Sequence, residues 1–369
     1  MSRPIWLRAT SRLAFAAALS IIVTTALAAD VPHTMKAIVQ EGIGGPEVLK
    51  LESLPVPQPR ANQVLVRVYA AAINPLDWRA RMGVQRHDQG GPPRGSDKGA
   101  SLAPRRGRTR SPNGPEPMIP GGDIAGVIAA VGPGVMQWRV GDAVYGRGRH
   151  GYAQYVLANG NDIAPKPKRL AFAQAAGIPT ADITGLMAVK QAGVAPDQTV
   201  VIVGAAGGVG SAALQVAKAQ GAKVIAIASS QHNAYLKQLG ADEIVNYDKS
   251  NPADRIKKAD AVINTVDGSA AATLSYVKRG GAIVLPAGVI PRTQCASAGV
   301  TCNGMDHARA LSTTEALEQI NALVDAGKFT VKVERSFPLE QAGQAQELDR
   351  AGHAEGKIVV VTTSEATRH

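Results

Sequence analysis

The chain has 369 residues, 45% of them hydrophobic, so it is long enough to bury the cores of two domains. Its formal charge is +11, but three of these charges lie in the first 12 residues and a net five lie between residues 86 and 110. The basic balance is therefore local, which argues against nucleic-acid binding. The two cysteines, Cys295 and Cys302, are too few for a four-cysteine zinc site. In an oxidising compartment they would close a small disulfide loop, and two unrelated buried thiols are the alternative.

The N-terminal segment is typical of an export signal. Arginines in the first 12 residues precede a run of 17 uncharged residues, 13–29, and Ala26-Leu27-Ala28 has the small-residue pattern of a cleavage site. An uncleaved membrane anchor is the alternative, but the run is shorter than the ~20 residues that span a bilayer. We therefore expect residues 1–28 to be a signal peptide and the mature protein to be periplasmic, with no stable membrane span after cleavage.

The first part of the mature chain predicts an antiparallel barrel. Apolar, β-branched runs bounded by turn residues indicate strands at residues 35–39, 48–54, 63–71, 123–131, 143–145 and 154–157, and a short helix near 73–83.

A tract rich in Gly, Pro and Arg, residues 84–117, interrupts this pattern. Gly and Pro supply 12 of the 28 residues from 90 to 117, a composition that cannot bury apolar surface. A disordered loop and a frame error in the underlying sequence both remain open as explanations.

Residues 199–230 predict a strand, a glycine turn, a helix and a second strand. The strand 200–203 is wholly apolar, as expected of a parallel strand buried on both faces, and glycines follow it at intervals of three. Such a turn lets backbone N–H groups approach a pyrophosphate at the positive end of the helix. The predicted dinucleotide-binding residues of the turn are Gly204, Ala205, Ala206, Gly207, Gly208, Val209 and Gly210.

The end of the second strand indicates which dinucleotide is bound. A carboxylate about 20 residues beyond the glycines would hold the ribose 2′-hydroxyl of NAD. Here the strand ends at Ser229 and Ser230, and no Asp or Glu occurs between Ser211 and Ala241. Hydroxyl groups at this position favour NADP over NAD.

Further strands are predicted at residues 243–247, 261–266 and 282–285, with a sixth strand of this sheet at 299–303. Helices are predicted at residues 171–177, 184–191, 231–239 and 313–326, so the predicted fold class is α/β.

The order of the motifs resembles the zinc-independent quinone oxidoreductases of the medium-chain dehydrogenase/reductase superfamily. The motifs are MKAIV (35–39), INPLDWRARMG (73–83), IPGGDIAGVIAAVGPGV (119–135), WRVGDAVYG (138–146), GAAGGVG (204–210) and LGADEIVNY (239–247). The resemblance implies a GroES-like β-barrel domain, residues 35–157, completed by residues 329–363. It also implies a Rossmann domain with a doubly wound parallel sheet, residues 158–328, an active site in the cleft and a homodimer.

The resemblance also implies roles for individual residues. Asn74 and Asp77 would be the catalytic residues that line the acceptor pocket, with Asn74 donating a hydrogen bond to a carbonyl, and a helix cap is the alternative role. Thr184 belongs to the segment that approaches the nicotinamide in the family. Tyr247 stands where relatives place a tyrosine beside the 2′-phosphate, and His232 replaces a lysine that often assists it.

Zinc is not expected. Zinc-dependent relatives have a cysteine and a Gly-His-Glu triplet where this chain has Asn74-Pro75-Leu76-Asp77 and Gly121-Gly122-Asp123, so the thiolate and imidazole ligands are missing. Val84 stands near the position of the proton-donating tyrosine of enoyl-thioester reductases, which favours quinone reduction over that activity. The sequence therefore predicts an NADPH-dependent, zinc-independent oxidoreductase of quinones or conjugated carbonyls. An NADPH-binding protein without turnover, with a sensor or structural role, is the alternative.

Overall fold

A computed structural model of the chain describes residues 31–84, 117–286, 288–305, 311–352 and 354–363. The predicted signal peptide and most of the tract at residues 84–117 lie outside the described residues. In the part of the chain that is described, no helix has both the length and the hydropathy needed to cross a bilayer.

The described residues begin with runs of strands, and from residue 199 onward strands and helices largely alternate. The strands are β1 (Thr34–Gln40), β2 (Leu49–Pro55), β3 (Gln63–Ala72), β4 (Asp123–Val131), β5 (Ala143–Arg147), β6 (Tyr155–Asn159), β7 (Ile163–Pro165), β8 (Thr199–Val203), β9 (Lys223–Ala228), β10 (Glu243–Asn246), β11 (Ala259–Asn264), β12 (Val277–Leu285), β13 (Thr301–Gly304), β14 (Val333–Pro338) and β15 (Lys357–Val361). The α-helices are α1 (Pro75–Arg81), α2 (Phe172–Ala176), α3 (Ile178–Gln191), α4 (Gly208–Ala219), α5 (Asn233–Gln238), α6 (Pro252–Arg255), α7 (Arg292–Ala298), α8 (Thr313–Asp325) and α9 (Ala342–Ala351).

One sheet combines strands from both ends of the described chain. Its spatial order is β14-β15-β3-β4-β5-β7, and β6 also pairs with β3. The hairpin β1–β2 is joined to this barrel through a hydrogen bond from Ile38 N to Tyr152 O at 2.8 Å. Val359 of β15 pairs with Ala72 at the end of β3, so the start of β15 lies beside the residues that follow β3.

The other large sheet has six parallel strands in the order β10-β9-β8-β11-β12-β13. The predicted sixth strand is confirmed as β13. Strand β8 lies between β9 and β11, so the chain order reverses there. Doubly wound sheets bind their ligands at the carboxyl ends of the strands at such a reversal. The predicted α/β fold class, a GroES-like barrel with a Rossmann sheet, is confirmed.

Two helices begin earlier than the sequence predicts. Helix α3 begins at Ile178, because Pro179 is tolerated in a first turn, where its missing N–H has no helical partner to lose. Helix α4 begins at Gly208 with Gly207 as its N-cap, so the last glycines of the turn already belong to the helix.

The two large sheets share one hydrophobic core. Tyr69 of β3 and Ala125 of β4 belong to the same buried cluster as Val200 of β8 and Ala226 of β9, together with residues of α2 and α3. Because close-packed interiors deform little, this shared core holds the two sheets in a constant orientation around the cleft between them.

A disulfide joins α7 to β13 at the edge of the parallel sheet. The Cα atoms of Cys295 and Cys302 are 6.0 Å apart, an ordinary separation for a disulfide. Of the two alternatives that the sequence left open, the structure therefore has the disulfide and not two separate thiols.

Candidate active site

The glycine turn between β8 and α4 is shaped to receive a phosphate group. Gly204 has a φ of +77°, which favours glycine, and its N–H donates to Ile227 O at 3.0 Å. A Cβ at Gly210 would collide with the carbonyl oxygen of Gly204, whereas a Cβ at Gly207 would find its nearest neighbour 3.6 Å away. The first glycine makes the turn, the last lets α4 pack against it, and Gly207 leaves backbone accessible at the start of α4. The residues present therefore fit a dinucleotide pyrophosphate.

The structure brings all the residues predicted at the turn together between the end of β8 and the first turn of α4. Ala205 and Ala206 are buried, and the N–H of Ala205 donates to Ile227 O at 3.1 Å, so these two residues hold the shape of the turn. Gly356 N donates to Ala206 O at 3.0 Å, which ties the turn to the segment that leads into β15.

The predicted ribose site lies where β9 and β10 end. The hydroxyl of Ser229 is buried and has no hydrogen-bond partner among the described residues. Ser230, in contrast, donates twice to the carboxylate of Asp248, from its N–H to Oδ1 at 2.8 Å and from its hydroxyl to Oδ2 at 2.6 Å. Tyr247 is 56% exposed at the end of β10. The sequence did point to this edge, but it did not reveal the carboxylate that comes from β10.

His232 does not take the place of the missing lysine. Its side chain is buried, with Nδ1 2.9 Å from Glu355 Oε1 and Nε2 3.1 Å from Gln231 Nε2. Glu355 also forms an ion pair with Lys332. Because the imidazole is directed into this group of side chains, it is not presented to a 2′-phosphate.

Thr184 lies in α3 and is half-buried. Its hydroxyl donates to the carbonyl of Thr180, one turn earlier, at 2.6 Å. The predicted contact with a nicotinamide would therefore use the acceptor lone pairs of the Thr184 hydroxyl.

Asn74 lies in a buried polar network that joins four elements. Lys357 Nζ donates to Asn74 Oδ1 at 2.7 Å and to Ile73 O at 2.9 Å, and Asn74 Nδ2 donates to Asp123 Oδ2 at 2.9 Å. Asp123 also accepts from the N–H of Thr180 at 2.9 Å and from its hydroxyl at 2.7 Å. The network thus connects the residues after β3 with the start of β4, the first turn of α3 and the start of β15.

The alternative role of Asn74 and Asp77, a helix cap, is partly realised. Asn74 is the N-cap of α1, but its amide group serves Lys357 and Asp123. Asp77 does cap the helix, because its Oδ2 accepts from Asn74 N at 2.8 Å and from the hydroxyl of Tyr152 at 2.8 Å. The Asn74 amide keeps one N–H that none of these contacts uses.

The surroundings of Asp77 favour its protonated form. Desolvation raises its pKa from 3.8 to about 7, although the hydrogen bonds from Tyr152 and from Asn74 N–H act in the opposite direction. Burial also raises the pKa of Tyr152 well above its usual value, so the phenol stays a hydrogen-bond donor. Asp77 can therefore exchange a proton near neutral pH.

Asp182 is a second buried acid close to the network. Its Oδ2 has no partner among the described residues. Burial raises its pKa well above the usual value, and the charge of Asp123 acts in the same direction while Lys357 opposes both. Burial also raises the pKa of Asp123, but Lys357 and the hydrogen bonds from Thr180 and Asn74 oppose that rise, so Asp182 is the more readily protonated of the two acids.

Sequence reasoning missed Lys357, Asp123 and Thr180 as members of the site. One signal was available for Lys357, a lysine that opens the apolar strand β15 where no charge is expected. Asp123 stood in the triplet compared with the zinc ligands of relatives and Thr180 lies in the same segment as Thr184, but their pairing with each other and with Asn74 was not foreseen, since these residues lie far apart in the chain.

Comparisons with known proteins agree with this geometry. Residues 60–168 match the family described as alcohol dehydrogenase GroES-like domain, and residues 239–360 match the family described as zinc-binding dehydrogenase. The 2-methylene-furan-3-one reductase of Solanum lycopersicum is 31% identical over 91% of this chain and 81% of that protein. The chloroplastic NADPH-dependent alkenal/one oxidoreductase of Arabidopsis thaliana is 32% identical over 90% of this chain and 81% of that protein.

A solved structure of a relative has the same fold. The quinone oxidoreductase of Coxiella burnetii has 32% sequence identity and a TM-score of 0.73, and the match covers 89% of this chain and 100% of that one. The fold and the dinucleotide turn define an oxidoreductase with a GroES-like domain, and the chain belongs to the medium-chain dehydrogenase/reductase superfamily. Within that superfamily it fits the zeta-crystallin-like quinone oxidoreductase branch, a branch of enzymes.

Proposed function

We propose that the protein is an NADPH-dependent, zinc-independent reductase that transfers hydride to a quinone or a conjugated carbonyl. The names of three relatives, a furanone reductase, an alkenal/one oxidoreductase and a quinone oxidoreductase, support this substrate class. One observation carries the proposal. The side chain of Lys357 passes the start of α4, where a Cβ at Gly208 would lie 2.9 Å from its Cδ, and its amine binds Asn74. Asn74, the residue proposed to bind the electron acceptor, is thus linked to the dinucleotide turn by the side chain of Lys357.

The cofactor would be held along the carboxyl edge of the parallel sheet. The turn from Gly204 to Gly210 would bind the pyrophosphate, and a 2′-phosphate would lie beyond the end of β9, beside Ser229 and Ser230. When bound, NADPH would supply the hydride.

Asn74 would bind the carbonyl oxygen of the acceptor. Lys357 fixes the side-chain oxygen of Asn74 and Asp123 fixes its nitrogen, so the orientation of the amide is set before an acceptor arrives. A donor held in advance stabilises the negative charge that develops on a carbonyl oxygen as hydride is added.

Asp77 would supply the proton that such a reduction consumes. With a pKa of about 7 it is about half protonated in neutral solution, and it lies three residues from Asn74 at the start of α1. Tyr152 keeps the carboxyl group in place through its hydrogen bond.

Zinc independence is supported by the charges at the site. A buried lysine amine lies 2.7 Å from the side-chain oxygen of Asn74, and it would repel a divalent cation placed there. Within the described residues, no group of three or more His, Cys, Asp and Glu side chains could hold a metal ion.

We also propose export to the periplasm and assembly as a homodimer. The Cys295–Cys302 disulfide supports an oxidising compartment. N-terminal sequencing of the native protein would test cleavage after Ala28, and light scattering on a sizing column would test the dimer.

The function is tested by NADPH oxidation with a panel of quinones and enones. We expect turnover by the wild type and a loss of about 100-fold in kcat/KM for Asn74→Ala, because one preorganised donor is removed. Asn161→Ala, an exposed residue between β6 and β7, is the control and should keep full activity. If the folded wild type binds NADPH but none of the quinones and enones supports its oxidation, the alternative of a binding protein without turnover replaces this proposal.

A further inference from the structure

Strands β9 and β10 are each followed by two polar residues at the same edge of the sheet. These are Ser229 and Ser230 after β9, and Tyr247 and Asp248 after β10. Ala228 at the end of β9 is in register with Asn246 at the end of β10, so the residues that follow each strand are neighbours. In a doubly wound sheet the adenosine ribose lies at the end of the second strand, which here is β9. Ser230 and Asp248 therefore both lie at the proposed ribose site.

Asp248 is held there by Ser230. Both carboxylate oxygens accept a hydrogen bond from that serine, at 2.8 and 2.6 Å, and these bonds lower the pKa of Asp248, so that it is ionised at neutral pH. The nearest described cation is Lys249, whose amine is 3.6 Å from Oδ2 and whose side chain is 68% exposed. An exposed lysine at this distance is well hydrated and cancels little of the carboxylate charge.

We propose that Asp248 is a selectivity-determining residue that limits the preference of this site for NADPH over NADH. Its carboxylate accepts a hydrogen bond from a ribose 2′-hydroxyl and repels a 2′-phosphate, and by engaging the hydroxyl of Ser230 it removes one of the donors that a phosphate would use. This opposes the effect of Ser229, whose hydroxyl is unpartnered. The inference rests on the proposed dinucleotide site.

The arrangement differs from the usual source of such a carboxylate. In the common Rossmann pattern the acid follows the second strand directly. Here the second strand ends in serines, and the acid comes from the third strand, about 40 residues beyond the glycine turn. For this reason a search confined to the end of β9 predicts a stronger NADPH preference than the folded site provides.

Calorimetric binding of ADP-ribose and 2′-phospho-ADP-ribose to the full mature chain tests the inference without any acceptor. We expect the wild type to bind the two probes with dissociation constants within about tenfold of each other. Asp248→Asn keeps the shape of the side chain and removes its charge, and we expect it to shift the ratio by five- to tenfold toward the phosphorylated probe. The expected shift follows from the repulsion between two like charges at a solvated site.

Glu243→Gln is the matched control, because it removes one exposed carboxylate at the opposite end of β10. A ratio that is unchanged in Asp248→Asn, or changed equally in Glu243→Gln, would overturn the inference. If the folded wild type binds neither probe, the dinucleotide site itself is refuted, and this inference with it. Probe binding without any acceptor reduction would refute only the proposed enzymatic function.

Discussion

A single buried lysine organises the polar side chains of the candidate active site. Burying an ammonium group is costly unless it is paired and hydrogen-bonded, and Lys357 has Ile73 O and Asn74 Oδ1 as acceptors. Asp123 completes the balance of charge, because it receives three hydrogen bonds and lies next to the same amide. The network is therefore satisfied while Asn74 keeps one free N–H for a ligand.

The raised pKa of Asp77 predicts a pH dependence of turnover. If Asp77 donates the proton, kcat/KM for the acceptor should be constant below about pH 7 and fall about tenfold per pH unit above it, since only the protonated form is active. Asp77→Asn should be slow and lack this titration. A wild-type profile that is flat from pH 6 to 9 would contradict the role of Asp77.

The same shift predicts a pH dependence of stability. The folded pKa of Asp77 lies above its unfolded value of 3.8, so between about pH 4 and 7 the folded state holds a proton that the unfolded state has released. The contribution of Asp77 to the free energy of unfolding therefore falls as pH rises through this window. In urea titrations, the free energy of unfolding of Asp77→Asn, measured relative to wild type, should rise by on the order of 1–2 kcal/mol from pH 4.5 to pH 8. This range allows for the partial exposure of the Asp77 side chain. The exposed Asp254→Asn is the control.

At the scale of single elements, the glycine turn separates two roles that the sequence pattern does not distinguish. Gly210 is required by packing, since a Cβ would meet the carbonyl of Gly204, whereas Gly207 has space for a Cβ and ordinary backbone angles, φ −73° and ψ 171°. The two glycines should therefore respond differently to the same substitution.

Gly210→Ala should lower both stability and affinity. We expect a loss of about 1–3 kcal/mol in the free energy of unfolding, from overpacking, together with loss of NADPH binding. Gly207→Ala should stay within about 0.5 kcal/mol of wild type in stability and lose at least tenfold in NADPH affinity, because its methyl group would cover backbone N–H groups. Thermal unfolding and fluorescence titration measure both quantities. Full NADPH affinity in Gly207→Ala would place the pyrophosphate elsewhere.

At the scale of the whole molecule, local sequence patterns predicted the helices and strands. The arrangement of the candidate site depends instead on contacts between residues that are far apart in the chain. The strand of residues 123–131 was predicted with the bounds it has as β4, because its apolar run is bounded by turn residues. The contacts of Asn74 could not be predicted in this way, since its partners Asp123 and Lys357 lie 49 and 283 residues away. Asp248 was missed for the same reason, because its effect depends on the register of two parallel strands.

The shared core makes a prediction about how the molecule unfolds. Side chains of the barrel strands, such as Tyr69, are buried in the same cluster as Val200 of the parallel sheet. Segments far apart in the chain are joined in addition, since β15 pairs with β3 and Gly356 N donates to Ala206 O in the dinucleotide turn. Neither sheet can lose its packing without exposing part of the other.

We therefore expect the folded chain to unfold in one cooperative transition in which the barrel and the parallel sheet melt together. NADPH at 100 times its dissociation constant should stabilise this single transition by about 2.7 kcal/mol, because only the folded state binds. Calorimetry, with circular dichroism and tryptophan fluorescence as independent probes, measures the number of transitions with and without nucleotide. Two transitions, of which NADPH shifts only one, would show instead that the barrel and the parallel sheet are independently stable, and that Lys357 joins two separately folding units.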